Sequence, residues 1–301
     1  MQAIEQEFRR IRQREQDALA ERTAIAYEKA PALRELTARK SAVFLDAARR
    51  KISPQEASAE LARIAGQEKS LLHSIGMPED ALLLHYQCKA CKDTGYLGDG
   101  LRRPCSCRLM LTAKLDPRVR INAQETFDAF RTDIFPDEEQ AEKAIAARDR
   151  LRAYALSLPR PDPLNYLIMG APGLGKSYLG NAVAYQALSM GIPAVRTTAY
   201  DLLEDILKDL LGEPVNRRSF QTAPLLVLDD LGTEAVIPNV SENALFSIID
   251  GRIVRRLPTV YITNLTARDI VDRYGMRIFT RLTDASTGCI NLTGQNLRRR
   301  Y

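Results

Sequence analysis

The stretch "NYLIMGAPGLGKSYLG", residues 165–180, decides the fold: an apolar run of strand character leads into a glycine loop, and an apolar helical pattern begins at the lysine. Gly170-Ala-Pro-Gly173-Leu-Gly175-Lys176-Ser177 fits G-x-x-x-x-G-K-[ST], and both flanking elements which that motif requires are in place. Glycines let backbone N–H groups wrap a phosphate, and the helix N-terminus adds favourable dipole charge. Lys176 then reaches the outer phosphates, and the Ser177 hydroxyl is suited to Mg²⁺. A chance glycine loop is the alternative, and it leaves the strand and helix around it unexplained.

Downstream, IPAVRTT, PLLVLDD, PTVYITN and GCINLT read as further strands, with SYLGNAVAYQALSM, AYDLLEDILKDLL and SENALFSIIDGRIVRR as helices between them. That alternation predicts an α/β fold, a parallel sheet with helices on both faces. The run at residues 225–230 is fully apolar until it ends in Asp229 and Asp230, at the sheet end where α/β folds bind ligands. Asp229 is expected to hold Mg²⁺, directly or through water, and Asp230 to orient or activate an attacking water. The next strand ends at Asn264, suited to fixing that water beside a γ-phosphate; an ordinary turn residue is the alternative. Arg277 and Arg281 in MRIFTRL lie four apart and share a helix face, a pair that alone reads as ordinary surface charge.

Upstream, residues 1–65 hold no glycine and only two prolines, Pro31 and Pro54, while Ile4, Phe8, Ile11 and then Leu33, Leu36, Val43, Phe44 and Ala47 recur at helical spacing. Ser53-Pro54-Gln55-Glu56 supplies an N-cap, a proline at N1 and a capping-box glutamate, and Gly66 is expected to stop the helix that follows. Glu15 and Arg22 fall where a heptad would want apolar residues, so a helical bundle or hairpin is expected rather than a long coiled coil. Four of the five cysteines crowd into residues 88–107 as Cys88-x-x-Cys91 and Cys105-x-Cys107. Four thiolates can close a tetrahedron around a structural Zn²⁺ and order a segment too small for its own core. His85 reads as a flanking residue, and a redox relay is the competing reading. Cys289 is expected to be a buried strand residue, and residues 108–123 a linker.

The 301 residues are 45% hydrophobic and 27% charged, with a net charge of +5 and a pI near 8.9, which permits contact with nucleic acid without demanding it. No window approaches about 18 uninterrupted apolar residues, and the N-terminus is charged, so neither a membrane span nor a secretory signal is expected and a cytoplasmic location is.

Taken together, the phosphate loop, the twin acids, the asparagine after the next strand and the R-x-x-x-R helix resemble an AAA+ ATPase. "LLVLDDLG", "YITNL" and "RIFTRL" are similar to the DnaC/DnaI helicase loaders and the related IstB transposition helpers, over about Glu125 to the C-terminus. The resemblance implies ATP, Mg²⁺ and Zn²⁺ as cofactors and Asn264 as sensor 1. It makes Arg281 the arginine finger, with Arg277 its helical neighbour, and places Phe127 of QETFDAF over the adenine. Arg298 of the terminal GQNLRRRY matches sensor 2, with Arg299 and Arg300 as alternative registers. Only twenty residues follow Arg281, so the AAA+ three-layer αβα sheet is expected without a full helical lid. Aspartate at position 230, where glutamate is usual in this class, predicts a weak ATPase stimulated by assembly and single-stranded DNA.

The implied organisation is a helical partner-binding region over 1–87, a zinc module and linker over 88–115, and the ATPase domain over 116–301. The implied partners are a replicative ring helicase through the N-terminal region, single-stranded DNA through the ATPase domain, and further copies of the chain through Arg281. An IstB-like or phage-encoded ATPase assisting transposition or phage replication is the alternative. A small-molecule P-loop kinase and an adaptor that uses ATP only as a switch are further readings. A kinase gives no reason for Asn264 or the terminal arginines.

Overall fold

The computed structural model describes residues 2–98, 103–115, 120–211, 218–235 and 241–300. The chain divides into two compact units, Met1–Thr94 and Gly95–Tyr301.

The first unit is built on three helices: α1 (Gln2–Lys29), α2 (Ala32–Ala48) and α3 (Pro54–Ser74). Leu33, Leu72, Ala26 and Ala81 bury one cluster, and Val43, Ala57 and Ile64 a second between α2 and α3. The capping box forms: Ser53 Oγ accepts from the Glu56 N–H at 3.2 Å, and the Glu56 carboxylate accepts from the Ser53 N–H at 2.8 Å. The two polar residues that interrupt the heptad are tethers. Arg22 donates to the carbonyls of Ala81 and Leu83, both at 3.0 Å, and Glu15 accepts from the His85 N–H at 2.7 Å. The stop expected at Gly66 lies elsewhere. Helix α3 runs through Gly66, since Leu71 and Leu72 beyond it still have apolar partners, and ends at Gly76. There φ is +71°, the left-handed geometry of a C-terminal cap, and the Met77 N–H reaches back to the Leu72 carbonyl at 2.9 Å.

In the second unit a short hairpin, β1 (Tyr96–Leu97) and β2 (Arg103–Pro104), precedes α4 (Ser106–Leu115) and α5 (Glu138–Leu156). There follow β3 (Asn165–Gly170), α6 (Lys176–Ser189), β4 (Ala194–Thr198), α7 (Ala199–Leu210), α8 (Arg218–Thr222), β5 (Leu225–Leu231), α9 (Ser241–Val254), β6 (Thr259–Thr263), α10 (Ala267–Leu282) and β7 (Thr287–Leu292). A 3₁₀ turn spans Leu297–Arg300. The five long strands form one parallel sheet in the order β4-β5-β6-β3-β7, with β3 between β6 and β7. Buried side chains of α5 and α6 pack on one face, and those of α7, α9 and α10 on the other, giving the three-layer αβα arrangement. Strands buried on both faces explain why PLLVLDD and PTVYITN read as unbroken apolar runs.

Two further expectations are corrected here. Residues 108–115 of the supposed linker belong to α4, whose Leu109, Met110 and Ala113 pack on the main core. Cys289 does lie on a strand, β7, but it is exposed: its neighbours Ile290 and Leu292 take the inward positions in the alternation of an edge strand.

Candidate functional site

The loop between β3 and α6 delivers the phosphate-binding residues to the carboxyl end of the sheet. Gly170, Gly173 and Gly175 all take positive φ, at 144°, 84° and 86°, conformations a side chain would strain. Lys176 is buried, and its ammonium donates to the carbonyls of Gly170 (2.6 Å) and Ala171 (2.7 Å) and to Asn264 Oδ1 (2.7 Å). Burial pulls the Lys176 ammonium below its ordinary pKa, with the Asp229 and Asp230 charges opposing. Asn264, next in sequence after β6, is thus hydrogen-bonded to the loop lysine 88 positions away.

The twin acids occupy an irregularity in β5. Pairing with β6 steps from Leu228↔Tyr261 to Leu231↔Thr263, leaving an extra residue on β5, and Asp230 there takes φ 52°. Such a bulge re-aims a side chain, and Asp230 lines the cavity beside the phosphate loop while Asp229 stays buried beneath it. Burial raises the Asp230 carboxyl pKa, and the neighbouring Asp229 charge raises it further. Asp229 Oδ1 accepts from Ser177 Oγ at 3.1 Å and from the Asp230 N–H at 2.9 Å, and its Oδ2 accepts from Arg196 at 2.7 Å. A serine hydroxyl against a carboxylate is the donor set Mg²⁺ takes in phosphate-loop sites, so Ser177 and Asp229 fit that ion.

A cavity of about 550 Å³ opens over this loop, lined by Pro172, Gly173, Gly175, Lys176, Ser177, Asp230, Asn264 and Arg298 at its polar end. Its other end is lined by Glu125, Ala129, Phe130, Ile134, Phe135 and Tyr178. Phe127 is not among the lining residues. It is buried in the core, and Phe130 and Phe135, with ring centroids 6.0 Å apart and planes tilted by 35°, present the aromatic surface instead. The segment is held by Asn181 of α6, fully buried, which accepts from the Asn122 N–H and donates to the carbonyls of Asn122 and Glu125.

Arg281 does not line this cavity. It pairs with Asp250 of α9 at 2.9 Å and is half-exposed, while Arg277 stacks on the Phe246 ring at 3.5 Å. Between Tyr274 and these arginines α10 is broken at Gly275, with φ 76° and ψ 166°. The buried Glu234 joins the near side of that break to the acid strand. Its carboxylate accepts from the Gly232 N–H at 2.9 Å and from the Tyr274 hydroxyl, and Arg273 donates to its main-chain oxygen. The side chains of Arg299 and Arg300 lie outside the described residues.

The sulfurs of Cys88, Cys91, Cys105 and Cys107 all lie within 4.8 Å of one another. A tetrahedron with Zn–S bonds of about 2.3 Å has edges of about 3.8 Å, so the four thiols fit Zn²⁺. Asp93 preshapes the first pair. Buried and at φ 57°, it accepts from the N–H groups of Gln87 (3.0 Å) and Cys88 (2.7 Å). Sequence reading passed over Asp93, Arg196, Asn181, Phe130 and Phe135; an aspartate two residues after a CxxC pair was the one local signal available.

A phosphate loop after the inner strand β3, paired acids on β5 and a polar residue just after β6, in a five-stranded parallel sheet of this order, define a P-loop nucleotide-binding domain of the AAA+ type. Residues 159–281 match the family model described as IstB-like ATP binding protein. Over this segment the chain is similar to IstB-like ATP-binding proteins. A relative from Geobacillus stearothermophilus, the insertion sequence IS5376 putative ATP-binding protein, is 31% identical over 90 residues, covering 29% of this chain and 36% of that protein. The match therefore spans about a third of the curated relative's length. Among solved structures, the DnaC helicase loader is similar over 57% of this chain and 98% of its own, at 20% identity and a TM-score of 0.47. AMPPCP-bound DnaA from Aquifex aeolicus is similar over 60% of this chain and 53% of its own, at 18% identity and a TM-score of 0.48. Among the described residues no helix is long and apolar enough to cross a membrane.

Proposed function

We propose that the protein is an ATP-dependent loader that engages a replicative ring helicase through its helical N-terminal region and single-stranded DNA through its ATPase domain. The observation that carries the reading is a complete phosphate-loop site in a chain that also has a separately packed helical unit and a four-cysteine cluster, a combination suited to an ATP-governed adaptor. The division into 1–87, 88–115 and 116–301 belongs to the same reading, with Zn²⁺ on the four cysteines shaping the segment between helical region and ATPase.

ATP would sit with its phosphates on the loop, Lys176 exchanging its carbonyl partners for phosphate oxygens. Ser177 and Asp229 would hold Mg²⁺, which supplies charge neutralisation between the outer phosphates. Asp230 and Asn264 then flank the position of an attacking water, and Arg298 reaches the same end of the cavity. Arg281, on the surface and away from its own cavity, suits action on a neighbouring copy's nucleotide, where an arginine finger accelerates hydrolysis by about 10³ to 10⁵. Hydrolysis by the isolated chain is then weak. Asp230→Asn should keep ATP binding and lose turnover. Arg281→Ala should keep ATP binding and lose only the turnover gained on assembly; loss of ATP binding there would mean the residue serves its own subunit.

A second reading is favoured by the family match and by the insertion-sequence relative: an ATPase handing DNA to a transposase. Affinity capture with the tagged full chain, MgATP and single-stranded DNA separates the two. Co-elution of a hexameric helicase supports the loader, and co-elution of a transposase in its place supports the second reading. An ATPase rate unmoved by single-stranded DNA argues against both.

A further inference from the structure

The last described residues of the chain are strapped across the phosphate loop. After β7 the backbone turns at Gly294, and the side-chain amide of Gln140, a buried residue in the first turn of α5, grips both backbone groups of the next residue, Gln295. Gln140 Nε2 donates to the Gln295 carbonyl at 2.9 Å, and its Oε1 accepts from the Gln295 N–H at 2.9 Å. The grip is close. A Cβ at Gly294 would sit 2.2 Å from the Gln140 side chain. Asn296 then lies over Gly173, where a Cβ would fall 2.0 Å from its Oδ1, and the Leu297 N–H donates to the Gly173 carbonyl at 3.0 Å. Asn296 Oδ1 also accepts from the Arg298 N–H at 2.9 Å, setting the backbone of the residue whose side chain lines the cavity.

We infer that Gln140 is a positioning residue for the nucleotide site: by clamping the backbone of Gln295 it holds the tail against the phosphate loop and fixes Arg298 at the cavity's polar end. A buried amide that satisfies both backbone groups of one distant residue fixes that residue's place and orientation together. No residue of α5, Gln140 included, lines the cavity, so Gln140 acts through the tail and not on the ligand. The inference rests on the ATP-binding reading of this cavity and is independent of the partner. Because Arg298 shares that end with Lys176, Asp230 and Asn264, the clamp should matter more for a triphosphate than for a diphosphate.

Calorimetric titration of the full chain with a non-hydrolysable MgATP analogue, and separately with MgADP, tests this. Gln140→Ala is expected to weaken the triphosphate analogue about tenfold and ADP less than about threefold, the effect of freeing one positioned charged contact. Arg298→Ala should show the same split, and the double variant should be no weaker than Arg298→Ala alone. Should Gln140→Ala fail to fold, Asn296→Ala loosens the same strap from the loop side without touching α5 and is expected to give the same split. Equal losses for the two nucleotides, or additive losses in the double variant, would overturn the clamp. A wild-type chain that binds neither nucleotide would overturn the ATP reading itself, and the inference with it.

Discussion

Lys176 shows how the fold satisfies a buried charge. Its ammonium is surrounded by three oxygen acceptors, so the charge is satisfied although the side chain is buried. Arg252 solves a similar problem permanently. Fully buried on α9, it donates to the carbonyls of Phe220, Ala223 and Pro258 and to the Thr259 hydroxyl, tying the entries of β5 and β6 together. A lysine cannot reproduce that planar fork. Arg252→Lys is expected to destabilise the second unit by on the order of 2–3 kcal/mol, read as a lowered urea midpoint, because carbonyls are left buried and unpaired; an unchanged midpoint would show that the network relaxes around the shorter donor. The residues legible in the sequence were those whose chemistry is local: the loop glycines, Lys176, Ser177 and the paired aspartates. Arg196, Asn181 and Gln140 were not, because each gains its meaning from a partner on another strand, loop or tail, and Phe127 was preferred to Phe130 and Phe135 because only the fold shows which ring faces the cavity.

The elements themselves were mostly legible where a period or an unbroken apolar run marked them, and all five sheet strands lie where the runs predict. Failures came where one residue was read without its surroundings. Gly66 looked like a terminator, but apolar partners on both sides carry α3 across it, and the glycine that does end the helix is the one with a left-handed backbone ten residues on. A methyl at Gly66 would meet nothing within 4 Å. Gly66→Ala is therefore expected to stabilise α3 by about 0.5–1 kcal/mol, visible as slower amide exchange along that helix; faster exchange would mean the glycine relieves strain. Helix α4 was missed for the opposite reason. Its apolar residues crowd together at Leu109, Met110 and Leu111 rather than recurring at helical spacing, so its period is faint, and packing against α6 supplies what the segment's own pattern does not.

At the scale of the whole molecule the parallel sheet with helices on both faces followed from the alternation of strands and helices, while the order of its strands and the compact units could not be read from that alternation. In the cysteine segment a bound metal would stand in for a hydrophobic core. If Zn²⁺ holds it, the purified chain should carry about one zinc, and a strong chelator or Cys105→Ser should remove the metal and open residues 88–107 to protease. Unchanged protease resistance after metal removal would assign the ordering to Asp93 and the short hairpin alone.

The buried Glu234 gives the second unit a mechanical property. One end of its hydrogen-bonding set lies two residues behind Asp230, and the other grips α10 just ahead of the break at Gly275. The backbone that carries the acid and the root of the arginine-bearing segment are therefore geared: neither can shift without dragging the other, whereas Arg277 and Arg281, past the break, form the crank's outer arm.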